Sequence, residues 1–115
     1  MTSERDYRDF LYDMLEYAEL AADFVSGMDL ANFEVDRRTS LAVIKALEII
    51  GEAARYIPAS ARRRYTNIPW RQIISMRNIV VHEYPSVDLE VIWATVRDDL
   101  PPLKSQLRKI IRELQ

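Results

Sequence analysis

Apolar residues recur at three- and four-residue spacing along most of the chain, which is the periodicity of amphipathic helices. The first such segment covers residues 4–25 and is followed by Gly27, a residue that commonly stops helices. A second covers residues 33–57 and ends at Pro58, which cannot continue a helix. Strand signals, such as a two-residue turn between alternating apolar segments, are missing. The pattern therefore predicts an all-α fold.

Prolines divide the second half of the chain into shorter predicted helices. Residues 58–67 are typical of a connector with one short helical turn, and Pro69 suits the first position of a third helix over residues 69–81. Asp88 is placed to cap a fourth helix over residues 88–97, and Pro101 and Pro102 suit the start of a last helix. We therefore predict a four- to five-helix bundle that forms one domain over residues 1–115.

Composition and charge narrow the classes of function. The chain has 115 residues, of which 49% are hydrophobic and 30% charged, which is the balance of a folded globular protein. It has no cysteine and one histidine, so neither a thiolate site nor a zinc site is expected, and we predict no metal or cofactor. The net charge of −2 argues against a broadly basic surface, although a local basic cleft remains compatible with it. Without a leader-like N-terminus or a membrane-length apolar run, we expect a cytoplasmic protein without membrane partners.

The predicted third helix has apolar residues on most of its sides, which is the pattern of a helix with several packing partners. A chain of this size cannot easily bury that much apolar surface alone, so we predict a homodimer. Three polar residues, Arg77, Asn78 and His82, interrupt the apolar helix and therefore need partners. Asn78 and His82 are four apart and share a face, while Arg77 lies about 140° from His82 and would flank a common groove.

Spacing alone leaves two interpretations of these polar residues open. In the first, Arg77 pairs with Glu48 or Glu52 of the preceding helix, His82 caps its own helix, and Tyr84 packs as an aromatic side chain. In the second, the cluster converges on one ligand. A similar ambiguity concerns the consecutive arginines of the connector, residues 62–64, which form either a solvated face or a contact to an RNA backbone.

The order of residues resembles the HepT-like members of the HEPN superfamily, prokaryotic all-helical proteins whose signature is an arginine, four to six residues, and a histidine. Here the signature is Arg77-N-I-V-V-His82, and Tyr84 stands at the position of the family's tyrosine. Pro85 departs from the pattern, because many relatives carry an aromatic residue there. Further similar segments occur in the family's order: A-L-E-I-I-G-E-A-A-R (46–55), I-P-W-R-Q-I (68–73), V-D-L-E-V-I-W (87–93) and D-D-L-P-P-L (98–103).

The resemblance implies a metal-independent endoribonuclease that acts as the toxin of a toxin–antitoxin pair. It implies a homodimer with Arg77 and His82 as catalytic residues at a shared cleft, and Asn78 and Glu52 as candidates for supporting roles. It also implies an antitoxin partner, a minimal nucleotidyltransferase of the MntA type, that neutralises the toxin by attaching AMP to Tyr84. A different class of function stays open: a non-catalytic nucleotide- or partner-binding regulatory subunit of a nucleotidyltransferase complex. The presence of both Arg77 and His82 favours the nuclease, because binding alone requires no histidine.

Overall fold

The structure is a computed structural model that describes residues 6–83 and 88–115, and for residues 77–83 it describes the helical backbone alone. Within those ranges the chain forms helices and no strand, which confirms the predicted all-α fold. The elements are α1 (Tyr7–Phe24), α2 (Leu30–Val35), α3 (Arg37–Arg55), α4 (Ala59–Arg64), α5 (Trp70–Glu83), α6 (Leu89–Ala94), a π-helical turn (Thr95–Asp99) and α7 (Leu100–Leu114).

Helix α1 ends within one residue of the predicted residue 25, while the predicted start at residue 4 lies outside the described residues. The side chain of Asp6 caps it by accepting a hydrogen bond of 3.0 Å from the backbone N–H of Arg8. Gly27 follows the helix with a φ of 78°, a left-handed conformation that glycine adopts without steric cost. One stripe of α1 is buried at three- and four-residue spacing, namely Leu11, Met14, Ala18 and Ala21.

The single helix predicted over residues 33–57 is wrong, because the chain forms two helices there. Helix α2 begins at a capping box in which Asp29 and Asn32 bond each other's backbone N–H groups. Asp36 then separates α2 from α3, since its carboxylate accepts hydrogen bonds from the backbone N–H of Thr39 at 3.1 Å and from its hydroxyl at 2.7 Å. An aspartate side chain bonded in this way starts a new helix instead of continuing the old one.

The connector after α3 contains the predicted helical turn, here α4, and leads into α5. The indole Nε1 of Trp70 donates a hydrogen bond of 3.0 Å to the carbonyl oxygen of Tyr65, which joins the end of the connector to the first residue of α5. Helix α5 begins one residue after Pro69 and extends to Glu83, two residues beyond the predicted end. It packs against α3.

The predicted break between the last two helices does not exist. Asp88 caps α6 as predicted, by accepting a hydrogen bond of 2.9 Å from the backbone N–H of Glu90. The chain then passes through the π-helical turn directly into α7, and the backbone N–H of Leu100 donates to the carbonyl of Thr95, five residues earlier. Pro101 and Pro102 lack the N–H groups that an unbroken α-helix would use at this point, and the wider turn lets the helical path continue past them.

The core lies between α1, α3, α5 and α7, since α1 packs against α3 and α7 while α3 also packs against α5. Phe33 of α2 is fully buried, with its ring centroid 5.4 Å from that of Trp93 on α6. On α5, Ile73, Ile74 and Met76 are only half-buried, so the expectation of a helix buried on most sides is not met by one copy of the chain in the turns whose side chains are described. None of the described helices combines the length and apolar character needed to cross a membrane.

Candidate functional site

The backbone of α5 carries the predicted site residues Arg77, Asn78 and His82 in its last two turns. Because the helix is regular through Glu83, Asn78 and His82 lie on one face of it, and Arg77 lies about 140° from His82 around the axis. The side chains of these three residues, and Tyr84 entirely, are outside the described part of the structure. Their convergence on one ligand therefore stays a prediction.

The helix face that bears Asn78 and His82 begins at Arg71. Residues 71, 75, 78 and 82 are separated by four, three and four positions, which places them within about 60° of one another around the axis. Arg71 and Ser75 are exposed, so this is the solvent side of α5 over its first turns. The rise from Arg71 to His82 is about 16 Å at 1.5 Å per residue.

Arg77 occupies the opposite side of the same helix. It follows Trp70 by seven positions, which returns it to the Trp70 side to within about 20°. Trp70, the first residue of α5, is buried in the core. Arg77 therefore stands at a helix position nearer the core than that of His82.

Glu52 and Glu48, which one of the two sequence interpretations pairs with Arg77, lie one turn apart on α3 and are both partly buried. Arg55 contacts both carboxylate oxygens of Glu52 at 3.4 Å, and Lys45 contacts Glu48 at 3.5 Å. Each glutamate thus has a cationic neighbour on α3 itself. A contact from Arg77 to either one stays a prediction, as does the supporting role of Glu52.

A groove of about 600 Å³ lies between α4 and α5. Arg62 and Arg63 of α4 line one wall, and Arg71 of α5 lines the other. The remaining lining residues are uncharged: Ala59, Thr66, Trp70, Gln72, Ile74 and Ser75. The groove therefore presents three guanidinium groups and no carboxylate among its described lining residues. Sequence reasoning missed Arg71, although its spacing from Asn78 and His82 on one helix face was available as a signal.

The consecutive arginines of α4 do not form one uniform solvated face. Arg62 is half-buried, while Arg63 and Arg64 are exposed. Arg64 points to a separate groove, which it lines together with Lys109 and Glu113 of α7. Because that second groove contains both signs of charge, the cationic groove between α4 and α5 is electrostatically different from it.

An apolar cavity of about 460 Å³ lies between α3, α5 and the start of α7. The half-buried Ile73 and Met76 of α5 line it, opposite Leu47 of α3 and Leu103 of α7. The polar residues of its wall include Thr95 and Asp99 of the π-helical turn. Among the described residues no group of three or more histidine, cysteine, aspartate or glutamate side chains is placed to hold a metal ion.

Comparison with known proteins gives consistent matches along the chain. The family model described as "Ribonuclease HepT-like" matches residues 14–110. A Thermococcus cleftensis protein, whose name gives ribonuclease HepT as its probable identity, is 41% identical over 107 residues, or 93% of this chain and 97% of the relative. No solved structure matches the chain.

Two further relatives have names that propose an RNase. One, from Methanocaldococcus jannaschii, is 40% identical over 105 residues, which is 91% of this chain and 96% of the relative. The other, from Caldanaerobacter subterraneus, is 32% identical over 106 residues, which is 92% of this chain and 95% of the relative. Since the family model spans most of the chain and these relatives match over nearly their whole length, the protein belongs to the ribonuclease HepT-like family.

Proposed function

We propose that the protein is an endoribonuclease that cleaves RNA through Arg77 and His82. The observation that carries the proposal is the placement of both residues in the last two turns of one regular helix, α5, in a chain of the ribonuclease HepT-like family. The relatives' names, which give or propose a ribonuclease, support the same reaction class. We infer that the reaction is metal-independent, because the residues assigned to it supply acid, base and positive charge.

The proposed reaction uses the 2′-hydroxyl of the RNA as the nucleophile. A histidine takes the hydroxyl proton as the oxygen attacks phosphorus, and a second acid donates a proton to the 5′-oxygen as its bond to phosphorus breaks. The products are a 2′,3′-cyclic phosphate and a free 5′-hydroxyl. Histidine suits both roles, since its unperturbed pKa of about 6.5 lies near neutral pH. The guanidinium of Arg77 stabilises the charge that develops on the phosphorane.

This scheme needs two histidines, whereas the chain has one. We infer a homodimer in which two-fold symmetry brings His82 of each copy to one cleft, so that one acts as base and the other as acid. The half-buried Ile73 and Met76 of α5 support an interface, because a second copy would complete their burial. Asn78 stands one turn before His82, where an amide could orient the imidazole, and Glu52 is assigned to orient Arg77.

We further infer that the nuclease is the toxin of a type VII toxin–antitoxin pair. Its partner would be a minimal nucleotidyltransferase of the MntA type, which transfers AMP from ATP to the hydroxyl of Tyr84 and releases pyrophosphate. Tyr84 follows His82 by two positions, so the attached phosphodiester would bring negative charge and bulk to the cleft that RNA phosphates must enter. Inhibition would then require no change of fold.

Single substitutions in the purified protein test the nuclease assignment. We expect Arg77→Ala to lower the rate of RNA cleavage by about two to three orders of magnitude. His82→Ala should abolish cleavage, because in the dimer it removes both the base and the acid. Arg112→Ala, which removes an exposed arginine of α7, is the matched control and should retain the parental rate. All assays include a metal chelator, and circular dichroism checks that each variant is folded.

The outcomes separate the nuclease from the binding subunit. Parental cleavage by folded His82→Ala would refute the assignment. A parental protein that binds a nucleotide or a nucleotidyltransferase but cleaves no RNA would favour the regulatory subunit. Unfolding of His82→Ala would indicate that the histidine is structural.

Intact-mass measurement of the chain produced together with a nucleotidyltransferase tests the modification. We expect an increase equal to one AMP group that is lost in Tyr84→Phe and kept in Tyr56→Phe, where an exposed tyrosine is removed. A neutralised chain of unchanged mass would show that the partner acts by binding alone, and would overturn the AMP transfer.

A further inference from the structure

The groove between α4 and α5 collects positive charge that the protein does not neutralise. Arg62, Arg63 and Arg71 line it, and in the described part of the chain none of the three forms an ion pair. Other cationic residues do form such pairs, for example Arg97 with Asp98 at 3.0 Å and Arg108 with Glu19 at 2.8 Å. The groove thus gathers three guanidinium groups that no carboxylate of the described residues neutralises, whereas the groove beside Arg64 also contains Glu113.

Arg62 adds a second observation to the charge. Its Nε atom is buried and has no hydrogen-bond partner among the described residues. A buried guanidinium donor without an acceptor destabilises the protein that holds it. An anion bound in the groove to the same guanidinium would offset part of that cost electrostatically.

The groove leads toward the proposed catalytic residue. Arg71 and Ser75 line the groove and lie on the same face of α5 as His82, about 16 Å along the helix from Arg71. An extended polymer bound at Arg71 could therefore reach His82 without leaving that face. The distance is too long for a single phosphate to contact both residues.

We propose that this groove binds the sugar–phosphate backbone of the RNA substrate and guides the strand along α5 to His82. The inference rests on the proposed nuclease function and adds a substrate-binding surface to it. Guanidinium groups bind phosphate through paired N–H donors, and the hydroxyls of Thr66 and Ser75 are further donors to phosphate or ribose. Because no base-reading contact is required, binding in the groove is independent of sequence.

A single strand fits the groove better than an acidic peptide. Its charges repeat regularly along the backbone, and the groove offers cations on both walls with neutral donors between them. The groove also lies on the face of α5 that bears the proposed base or acid, which only a substrate needs to reach. An acidic protein partner is the competing interpretation, and the competition experiment distinguishes it.

The test compares two double variants with the same change of charge. Arg63→Gln with Arg71→Gln removes one exposed guanidinium from each wall of the groove, and leaves the partly buried Arg62 in place to protect the fold. Arg108→Gln with Arg112→Gln removes two exposed guanidiniums from α7 as the control. Fluorescence anisotropy measures the affinity of each protein for a labelled single-stranded RNA over a range of salt concentrations. The RNA has about 20 nucleotides, which is longer than the usual binding site of a single domain. His82→Ala is present in every protein so that no RNA is cleaved.

The groove variant should lose affinity in a salt-dependent way. Each phosphate contact to a single strand contributes about 0.7 to the slope of log K against log salt, so two lost contacts lower the slope by about 1.4 and the affinity at 0.1 M salt by about 25-fold. The control variant should keep the parental slope and affinity. Equal losses in both variants, or an unchanged slope in the groove variant, would overturn the proposal.

Cleavage and competition complete the test. With His82 restored, kcat/KM of the groove variant should fall much more on the long RNA than on a dinucleotide, which spans only the bond that is cut. Equal losses on both substrates would refute the guiding role. Polyaspartate that displaces RNA from the parental protein as effectively as unlabelled RNA does would instead assign the groove to an acidic partner. A parental protein that binds RNA through the groove but cleaves nothing would refute the nuclease function and leave the groove assignment intact.

Discussion

Trp70 is the residue whose replacement should most directly loosen the start of α5, the helix that carries the proposed site. Its side chain is 8% exposed, and its indole Nε1 donates a hydrogen bond of 3.0 Å to the carbonyl oxygen of Tyr65. Trp70→Phe keeps an aromatic ring at this position but removes the donor and the fused second ring.

The hydrogen-bond loss is the smaller one. The Tyr65 carbonyl also accepts a hydrogen bond of 3.2 Å from the backbone N–H of Ile68, so it keeps a partner in the variant. The cost is then near the net value of one hydrogen bond, about 1 kcal/mol, and not the larger cost of an unsatisfied buried group. The missing ring leaves a partly filled space that costs about 1–2 kcal/mol more. The expected loss in the free energy of unfolding is about 2–3 kcal/mol, or a fall of about 10 °C in Tm.

Urea unfolding followed by circular dichroism measures this loss, at one fixed chain concentration because a dimer's stability depends on concentration. Trp93→Phe is the matched control, since Trp93 is half-buried and its contact with Phe33 survives as an aromatic pair. We expect the control to lose about 1 kcal/mol or less. Equal losses in the two variants, or no loss in Trp70→Phe, would refute the role assigned to the Trp70 hydrogen bond and its burial.

Three further expectations concern stability and assembly. Phe33→Ala should lower the free energy of unfolding by about 3–5 kcal/mol because Phe33 is fully buried, whereas Tyr12→Ala at an exposed position should cost much less; equal costs in urea unfolding would contradict the described core. Hydrogen bonds from the Thr39 hydroxyl and backbone N–H lower the pKa of Asp36 from 3.8, so its carboxylate stabilises the fold above that pH and this contribution is lost as the pH falls through the lowered pKa. Asp36→Asn, which has no carboxylate to protonate, should therefore lose less unfolding free energy than the parental protein when the pH falls from 7 to below the pKa of Asp36, as measured by urea unfolding. An equal loss in the two proteins would contradict the role of Asp36 as a cap. Light scattering at micromolar concentration should give twice the mass of one chain, and a monomer would contradict the shared cleft.

Short-range patterns in the chain were enough to predict much of the fold. Helical periodicity, the stop at Gly27, the cap at Asp88 and the helical turn in the connector all depend on interactions between residues no more than about four apart. The same local rule places Arg77 and His82 on one helix, because their spacing fixes their angle as soon as the helix forms. Family membership also followed from the order of residues, and the family model and the relatives confirm it.

Two features of the fold could not be predicted from the sequence, because the local signals there allow more than one structure. The hydrophobic pattern runs through Asp36, yet the chain begins a new helix there because the aspartate bonds to Thr39. Pro101 and Pro102 signal a helix start, yet the chain enters α7 through a π-helical turn that satisfies the preceding carbonyl without a break. In both cases the local signals are compatible with two solutions, and the tertiary context selects one.

The cationic groove is the feature that tertiary structure alone brings together. Arg62 and Arg63 stand on α4 and Arg71 on α5, and the two helices are separated by a connector whose path no local pattern specifies. The Trp70 hydrogen bond to Tyr65 joins the connector to α5 and so contributes to holding the two walls beside each other. Spacing along one helix can be read from the order of residues, but a groove between two helices exists only once their relative position is set by packing.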